Sequence, residues 1–180
     1  MSPILGVIDS AKSGNLITGD FYHIATVTGT GNTMVASSIP GTYKNLRIYY
    51  TGRTDALSTP VDNTAISLNG GSSTAFQGAY WGSGDANTTG VFPIRVTGST
   101  ATSGYFGAGW IDIFNYSSTN NVLKQIHGYY TCVSPGGSNQ EIFTGYHTWT
   151  VANTAITSIT WGGGAGNFVS GSAFHLYGFN

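Results

Sequence analysis

Asn45-Leu46-Arg47-Ile48-Tyr49-Tyr50-Thr51 decides the fold class. Alternate side chains of an extended chain point to opposite sides, so Leu46, Ile48 and Tyr50 share one face and Arg47 and Tyr49 share the other. Leu46 and Ile48 are predicted to face a core. Gly109-Trp110-Ile111-Asp112-Ile113-Phe114-Asn115 repeats this period of two, with Ile111 and Ile113 on one side and Trp110, Asp112 and Phe114 on the other. Large apolar groups on both sides predict a strand that is central in its sheet or lies at an interface. Thr157, Ile159 and Trp161 alternate in the same way against Ile156, Ser158 and Thr160.

Working outward, similar runs of Val, Ile, Thr, Tyr, Phe and Trp recur about every 8 to 15 residues between Gly, Asn, Ser and Pro clusters, the pattern of an antiparallel sandwich or barrel. Strands are expected over 21–28, 33–39, 45–51, 64–68, 75–81, 91–97, 105–116, 121–133, 140–151, 155–161 and 172–178. Thr28-Gly29-Thr30-Gly31-Asn32 reads as a hairpin loop, and Asn69-Gly70-Gly71 ends a strand with residues that tolerate positive φ. Residues 115–121 and 133–140 read as turns, Gly162 to Gly166 as a flexible loop, and 82–90 and 98–104 as mobile surface loops. The expected fold is all-β: an antiparallel β-sandwich forming a single domain over residues 21–180.

Composition narrows the function. Charged residues make up 7% of the 180 positions, against roughly 25% in ordinary soluble domains. With one glutamate, Glu141, and six Lys plus Arg, the chain cannot decorate helical bundles or coiled coils. Its 11 Tyr, nine Phe and four Trp, at a net charge of −1, exclude disorder. Lys12, Lys44, Arg47, Arg53, Arg95 and Lys124 are scattered singly, which argues against nucleic acid as a partner. No apolar run approaches the ~20 residues of a membrane span, so no membrane insertion is expected. The opening Met1-Ser2-Pro3-Ile4-Leu5-Gly6-Val7-Ile8 lacks a basic flank and an adequate apolar core for a signal peptide.

Residues 1–20 show no strand alternation and are too few for a core of their own. They read as an N-terminal extended arm whose Ile4, Leu5, Val7 and Ile8 must bury themselves on this domain or on a neighbour. Contact with a neighbouring subunit or partner is the expectation. Burial of that cluster is worth up to several kcal/mol at about 25 cal/mol per Å² before ordering costs.

The residues offer little catalytic chemistry. Glycoside hydrolysis needs paired carboxylates, and Asp112 with Glu141 are the acidic candidates among seven carboxylates. Asp112, between Trp110 and Phe114, also reads as a hydrogen-bonded interface residue, and that is the preferred reading. His23, His127, His147 and His175 show neither HxH nor HExxH spacing, and no calcium-loop pattern surrounds Asp55, Asp62 or Asp85, which read as solvated loop carboxylates. No metal and no cofactor are expected. Cys132 is the single cysteine and reads as a buried strand residue. No GxSxG elbow occurs, and the glycines at 162–166 lack the lysine and helix of a phosphate loop. The aromatics remain: Tyr80 with Trp81, Tyr129 with Tyr130, Tyr146 with Trp149, and Trp110 with Asp112 are candidates for a core or subunit interface, the preferred reading, or for glycan stacking, and one of Tyr129 and Tyr130 is expected to point outward.

The order of several motifs is more telling than any one. Ile4-Leu5-Gly6-Val7-Ile8-Asp9-Ser10, Tyr22-His23-Ile24-Ala25-Thr26-Val27-Thr28, Ser38-Ile39-Pro40-Gly41-Thr42-Tyr43-Lys44-Asn45-Leu46-Arg47-Ile48 and the closing Ala155-Ile156-Thr157-Ser158-Ile159 and Gly166-Asn167-Phe168-Val169-Ser170-Gly171-Ser172-Ala173-Phe174-His175-Leu176-Tyr177-Gly178 resemble small virion structural proteins of tailed bacteriophages. The likeness covers both ends and, through Ile111 to Tyr116, part of the middle; residues 60–104 carry none of it. It implies a β-sandwich module, often a jelly roll, frequently a homotrimer, placed in the virion after assembly in the host cytoplasm. It brings no catalytic residues. It implies a non-enzymatic role with other virion proteins, capsid or tail, as partners and leaves the station on the particle open; the apolar arm, better suited to a lattice anchor than to a sugar site, makes capsid decoration the expected role. The alternative is a tail-fibre or receptor-binding module, with loops 82–90 and 98–104 and nearby aromatics on host-surface glycans.

Overall fold

The computed structural model describes residues 21–71, 74–80, 84–89, 92–133, 140–162 and 164–180. In chain order the strands are β1 (Tyr22–Thr28), β2 (Thr33–Ala36), β3 (Asn45–Gly52), β4 (Val61–Leu68), β5 (Thr74–Tyr80), β6 (Gly84–Thr89), β7 (Phe92–Thr97), β8 (Gly107–Ile113), β9 (Lys124–Val133), β10 (Gln140–Trp149), β11 (Ile159–Gly162) and β12 (Ala173–Phe179). No helix occurs among the described residues. The strands form two antiparallel sheets, one of eight strands ordered β1-β12-β3-β8-β9-β10-β5-β6 and one of four ordered β2-β11-β4-β7. Two sheets enclosing one core are consistent with a β-sandwich.

Alternation places the core where the sequence puts it. Leu46, Ile48 and Tyr50 of β3, Ile111 and Ile113 of β8, and Phe174 and Leu176 of β12 point inward from the large sheet. They meet Met34, Ile66, Leu68, Ile94, Ile159 and Trp161 from the small sheet in one buried cluster. Trp161 stands at its centre: its ring lies 5.0 Å from Tyr50 and 4.6 Å from Phe168. Its indole N–H donates to Thr64 Oγ1 at 2.9 Å, and that hydroxyl donates to the Ile94 carbonyl at 2.8 Å, so the buried polar atoms are satisfied. Gly52 makes room for this ring, because a Cβ there would sit 2.6 Å from Trp161 Cη2. Cys132 is buried, as expected, with its Sγ 3.6 Å from Thr97 Oγ1.

Several sequence expectations are corrected. Residues 82–90 do not form only a loop, since β6 occupies 84–89 and pairs with β5 at the rim of the large sheet. Its Gly-Asp-Ala-Asn-Thr-Thr composition has low strand propensity, a common feature of edge strands, which use polar residues to discourage further pairing. Thr28 to Asn32 is not a hairpin loop: β1 and β2 belong to different sheets, so the segment crosses between them. β11 begins at Ile159, not Ala155, because the preceding residues are held by Asn69, whose Oδ1 accepts from the Thr157 and Ser158 N–H groups. Asn69 itself takes φ 51° and Gly70 φ 69°, the turn expected there.

Two further corrections concern loops and carboxylates. The 98–104 segment is a loop, but Arg53 pins it by donating to the carbonyls of Ser99, Ala101, Thr102 and Tyr105. Asp62 is not a solvated loop carboxylate. It lies on β4 with 3% of its surface exposed and accepts from Thr54 Oγ1 (2.8 Å) and the Ala165 and Gly166 N–H groups (2.9 and 3.3 Å). The glycine-rich 164–166 stretch is thereby anchored on a buried acceptor. The N-terminal arm, residues 1–20, lies outside the described residues.

Candidate functional site

The same alternation that buries Leu46 and Ile48 turns their neighbours to the outer face of the eight-stranded sheet. Cross-strand pairing lines these neighbours up in two rows. The first runs His23, Tyr177, Arg47, Asp112, His127, Tyr146 across β1, β12, β3, β8, β9 and β10. The second runs Thr26, His175, Tyr49, Trp110, Tyr129, Thr144 across the same strands. With strands about 4.8 Å apart, each row spans roughly 24 Å.

The rings pack against one another edge to face. Tyr177 lies 5.4 Å from His23 and 5.9 Å from Tyr49, and Trp110 lies 5.2 Å from His127 at 88°. His127 in turn stacks on Tyr146 at 4.7 Å and 9°. Such pairs contribute about 0.5–1.5 kcal/mol beyond area burial, so the face is ordered before anything binds it. Much of it is nevertheless open to solvent: Tyr49 is 40% exposed and Tyr146 62%. Phe21, 41% exposed with its ring 5.0 Å from that of Phe179, extends the exposed area beyond the start of β1.

Arg47 sits at the middle. Its Nε and Nη2 donate to the two carboxylate oxygens of Asp112 at 2.6 and 2.5 Å, and Nη1 donates to the Tyr49 hydroxyl at 3.3 Å. Its guanidinium carbon lies 4.8 Å from the Phe21 ring centre and 4.9 Å from that of Trp110. The Asp112 hydrogen bond raises the proton affinity of Arg47, although burial opposes this. A bidentate pair with Asp112 only 6% exposed cancels the charge of both residues, leaving the face close to neutral. Near β1, Thr26 Oγ1 lies 2.9 Å from His23 Nε2 and 3.0 Å from His175 Nδ1. One hydroxyl proton serves one ring, so the other ring must donate to the oxygen.

Of the expected site residues, Trp110 and Asp112 lie together on this face. Tyr80 ends β5 with its backbone opposite Phe143, while Trp81, Ile4, Leu5, Val7 and Ile8 lie outside the described residues. Asp112 pairs across β9 with His127 and Glu141 with Cys132, five residues further along that strand, which sets their backbones roughly 17 Å apart along it. Both Asp112 oxygens are already taken by Arg47. Among the described residues no group of three or more His, Cys, Asp or Glu side chains is placed to hold a metal ion.

Sequence reasoning placed Arg47 and Tyr49 on the outer side of β3 but assigned them no role; it named Tyr146 as a stacking candidate beside Trp149, which the structure buries, and it missed His127, His175 and Tyr177 as members of the site. The signal available was parity: His127 alternates with buried Ile126, and His175 and Tyr177 with buried Phe174 and Leu176. What could not be read is which strands lie side by side. Comparisons with protein-family models, curated proteins and solved structures find no match.

Proposed function

We propose that the chain is a structural component of a tailed-phage virion, a capsid decoration protein exposed on the particle surface, and that it acts by adhesion and not by catalysis. In this reading the outer face of the large sheet is a docking face, the module assembles as a homotrimer, and residues 1–20 form an arm anchored by Ile4, Leu5, Val7 and Ile8. A jelly-roll wiring belongs to the same reading; successive strands that repeatedly change sheets support it.

The observation that carries the proposal is the pair of preassembled, nearly neutral rows with Tyr49 and Tyr146 left exposed. Contiguous exposed apolar area on a folded domain marks an interaction site. Aromatic residues and Arg dominate the energetics of protein interfaces, and ordering them beforehand lowers the entropic cost of association. Repetition on a particle adds avidity. The sequence likeness to virion structural proteins supplies the setting. The runner-up reading, host-glycan recognition by a tail-fibre module, draws on the same exposed rings beside Thr and His groups.

The test is capture by purified heads and by separated tails of the full-length protein, of a version starting at Phe21, and of Tyr146→Ser. Capture by heads that falls with Tyr146→Ser is expected for a decoration protein docked through the outer face. Loss of capture on truncation assigns the anchor to the arm, whereas capture by tails alone moves the protein to adsorption.

A further inference from the structure

A second surface feature lies away from the outer face, where three chain segments meet in a cleft of about 500 Å³ lined by Asn32, Asp55, Leu57, Ala165, Gly166 and Asn167. That volume falls within the range of small-molecule sites. The walls are fastened to one another. Asp55 and Asn167 exchange two bonds, the Asp55 N–H donating to the Asn167 carbonyl at 2.9 Å and the Asn167 N–H to Asp55 Oδ1 at 2.6 Å. Asn32 Nδ2 donates to the Gly166 carbonyl at 3.1 Å, and the Phe168 N–H to the Gly31 carbonyl at 3.0 Å. Beneath the floor, buried Asp62 holds the Ala165 and Gly166 N–H groups. Gly166 is required for this closeness, since a Cβ there would lie 2.7 Å from both Ala56 Cα and Asp55 Oδ1.

The groups not used in these bonds define the ligand chemistry. Asp55 Oδ2 is a charged acceptor, and the Asn167 carboxamide both donates and accepts, as does each hydroxyl of a sugar. Leu57 is 85% exposed, the most exposed large apolar side chain among the described residues, and stands beside these polar groups with the Ala165 methyl. A carboxylate, a carboxamide and an aliphatic wall in one shallow cleft match a pyranose ring, which offers vicinal hydroxyls at its edge and C–H groups on its face. A single carboxylate disfavours an anionic ligand. It also falls short of calcium, which takes six to eight oxygen ligands, usually with several carboxylates.

We infer that the Asn32–Asp55–Leu57–Asn167 cleft is a binding site for a neutral saccharide unit, with Asp55 accepting from ring hydroxyls and Leu57 covering an apolar face. The site is independent of the outer-face rows and of the virion reading.

The experiment is titration of the full-length, ¹⁵N-labelled protein with glucose, galactose, mannose, N-acetylglucosamine and their disaccharides, followed by NMR. Saturable shifts at the amides of residues 55–57 and 165–167 are expected with at least one sugar. Asp55→Asn keeps an acceptor for the Asn167 N–H and should weaken that binding by about 10-fold or more, since hydrogen bonds to a charged group are the stronger kind. Leu57→Ala should weaken it by about 5-fold through lost apolar contact, without affecting the fold because the side chain is exposed. The proposal is overturned by absence of saturable shifts with every sugar, by affinity unchanged in both variants, or by shifts confined to Tyr49, Trp110 and Tyr146. The last outcome would assign sugar binding to the outer face instead. Head capture is scored separately, so either result leaves the docking test standing.

Discussion

Tyr49 and Tyr50 are chain neighbours of identical chemistry, yet Tyr50 is 3% exposed against Trp161 while Tyr49 is 40% exposed beside Trp110. The same contrast runs through the whole large sheet. Its inner face packs Leu46, Ile48, Ile111 and Phe174 against the second sheet, and its outer face carries Arg47, Tyr49, Trp110, His127 and Tyr146 with no sheet above them among the described residues. Aromatic content therefore does not mark the core of this protein; parity along each strand does. On the inner face the rings stabilise the fold by excluding water. On the outer face they form an ordered surface whose remaining exposure is available to a partner.

The largest effect that should separate the faces comes from Trp161. Trp161→Ala removes the ring that Tyr50 and Phe168 pack against and leaves Thr64 Oγ1 without its indole donor. A cavity of that size costs about 3–5 kcal/mol, enough to unfold a domain of marginal stability. Urea unfolding at neutral pH measures it. A loss below about 1 kcal/mol would mean that the inner face tolerates cavities and that the two faces differ less than their burial implies.

A pH experiment comes next in size. His147 lies on the inward face of β10 with 1% exposure, and burial pushes its pKa down to about 4. The unfolded chain takes up this proton near pH 6.5, before the folded protein does, so between these values the unfolded state binds more protons and stability rises with pH. The His147 contribution is fully present above about pH 6.5 and declines as pH falls towards 4, by on the order of 2 kcal/mol. Carboxylates titrate in the lower part of this window, so the comparison is with His147→Phe. Urea midpoints measured from pH 7 to 4 should fall more steeply for the native protein than for the variant, and parallel curves would place this imidazole in a far wetter setting.

How much of this was legible follows from the range over which each interaction acts. Alternation is local, so Leu46, Ile48, Ile111 and Ile113 could be assigned to a core face and Trp110 and Asp112 to the opposite one directly from residue order. Pairing is not local: Arg47 meets Asp112 across 65 positions, and nothing in either segment names the other. Low-propensity β6 was hidden by its edge composition, and the segment between β1 and β2 looked like a hairpin because a glycine-rich crossing and a glycine-rich turn use the same residues. Asp62 shows the same limit, since its acceptors' donors come from Thr54 and from residues more than 100 positions away. The candidate cleft is assembled from three such distant segments, which is why Asp55 read as an isolated loop carboxylate.

The smallest expected change in stability is the sharpest test of the comparison. Tyr146 is 62% exposed and touches the fold chiefly through its stack on His127. Tyr146→Ser therefore forfeits an exposed aromatic pair but no buried cavity, and the urea midpoint should move by no more than about 0.5–1 kcal/mol in free energy. If the outer face is a docking surface, the same substitution should weaken particle capture well beyond that figure, because interface aromatics at well-packed centres cost 2 kcal/mol or more when truncated. The ratio of the two effects is the informative quantity. A variant that keeps its stability and loses capture places Tyr146 in an interface. One that loses both equally makes the outer rows part of the fold, so that the asymmetry between Tyr49 and Tyr50 reflects only which side of one sheet the second sheet covers.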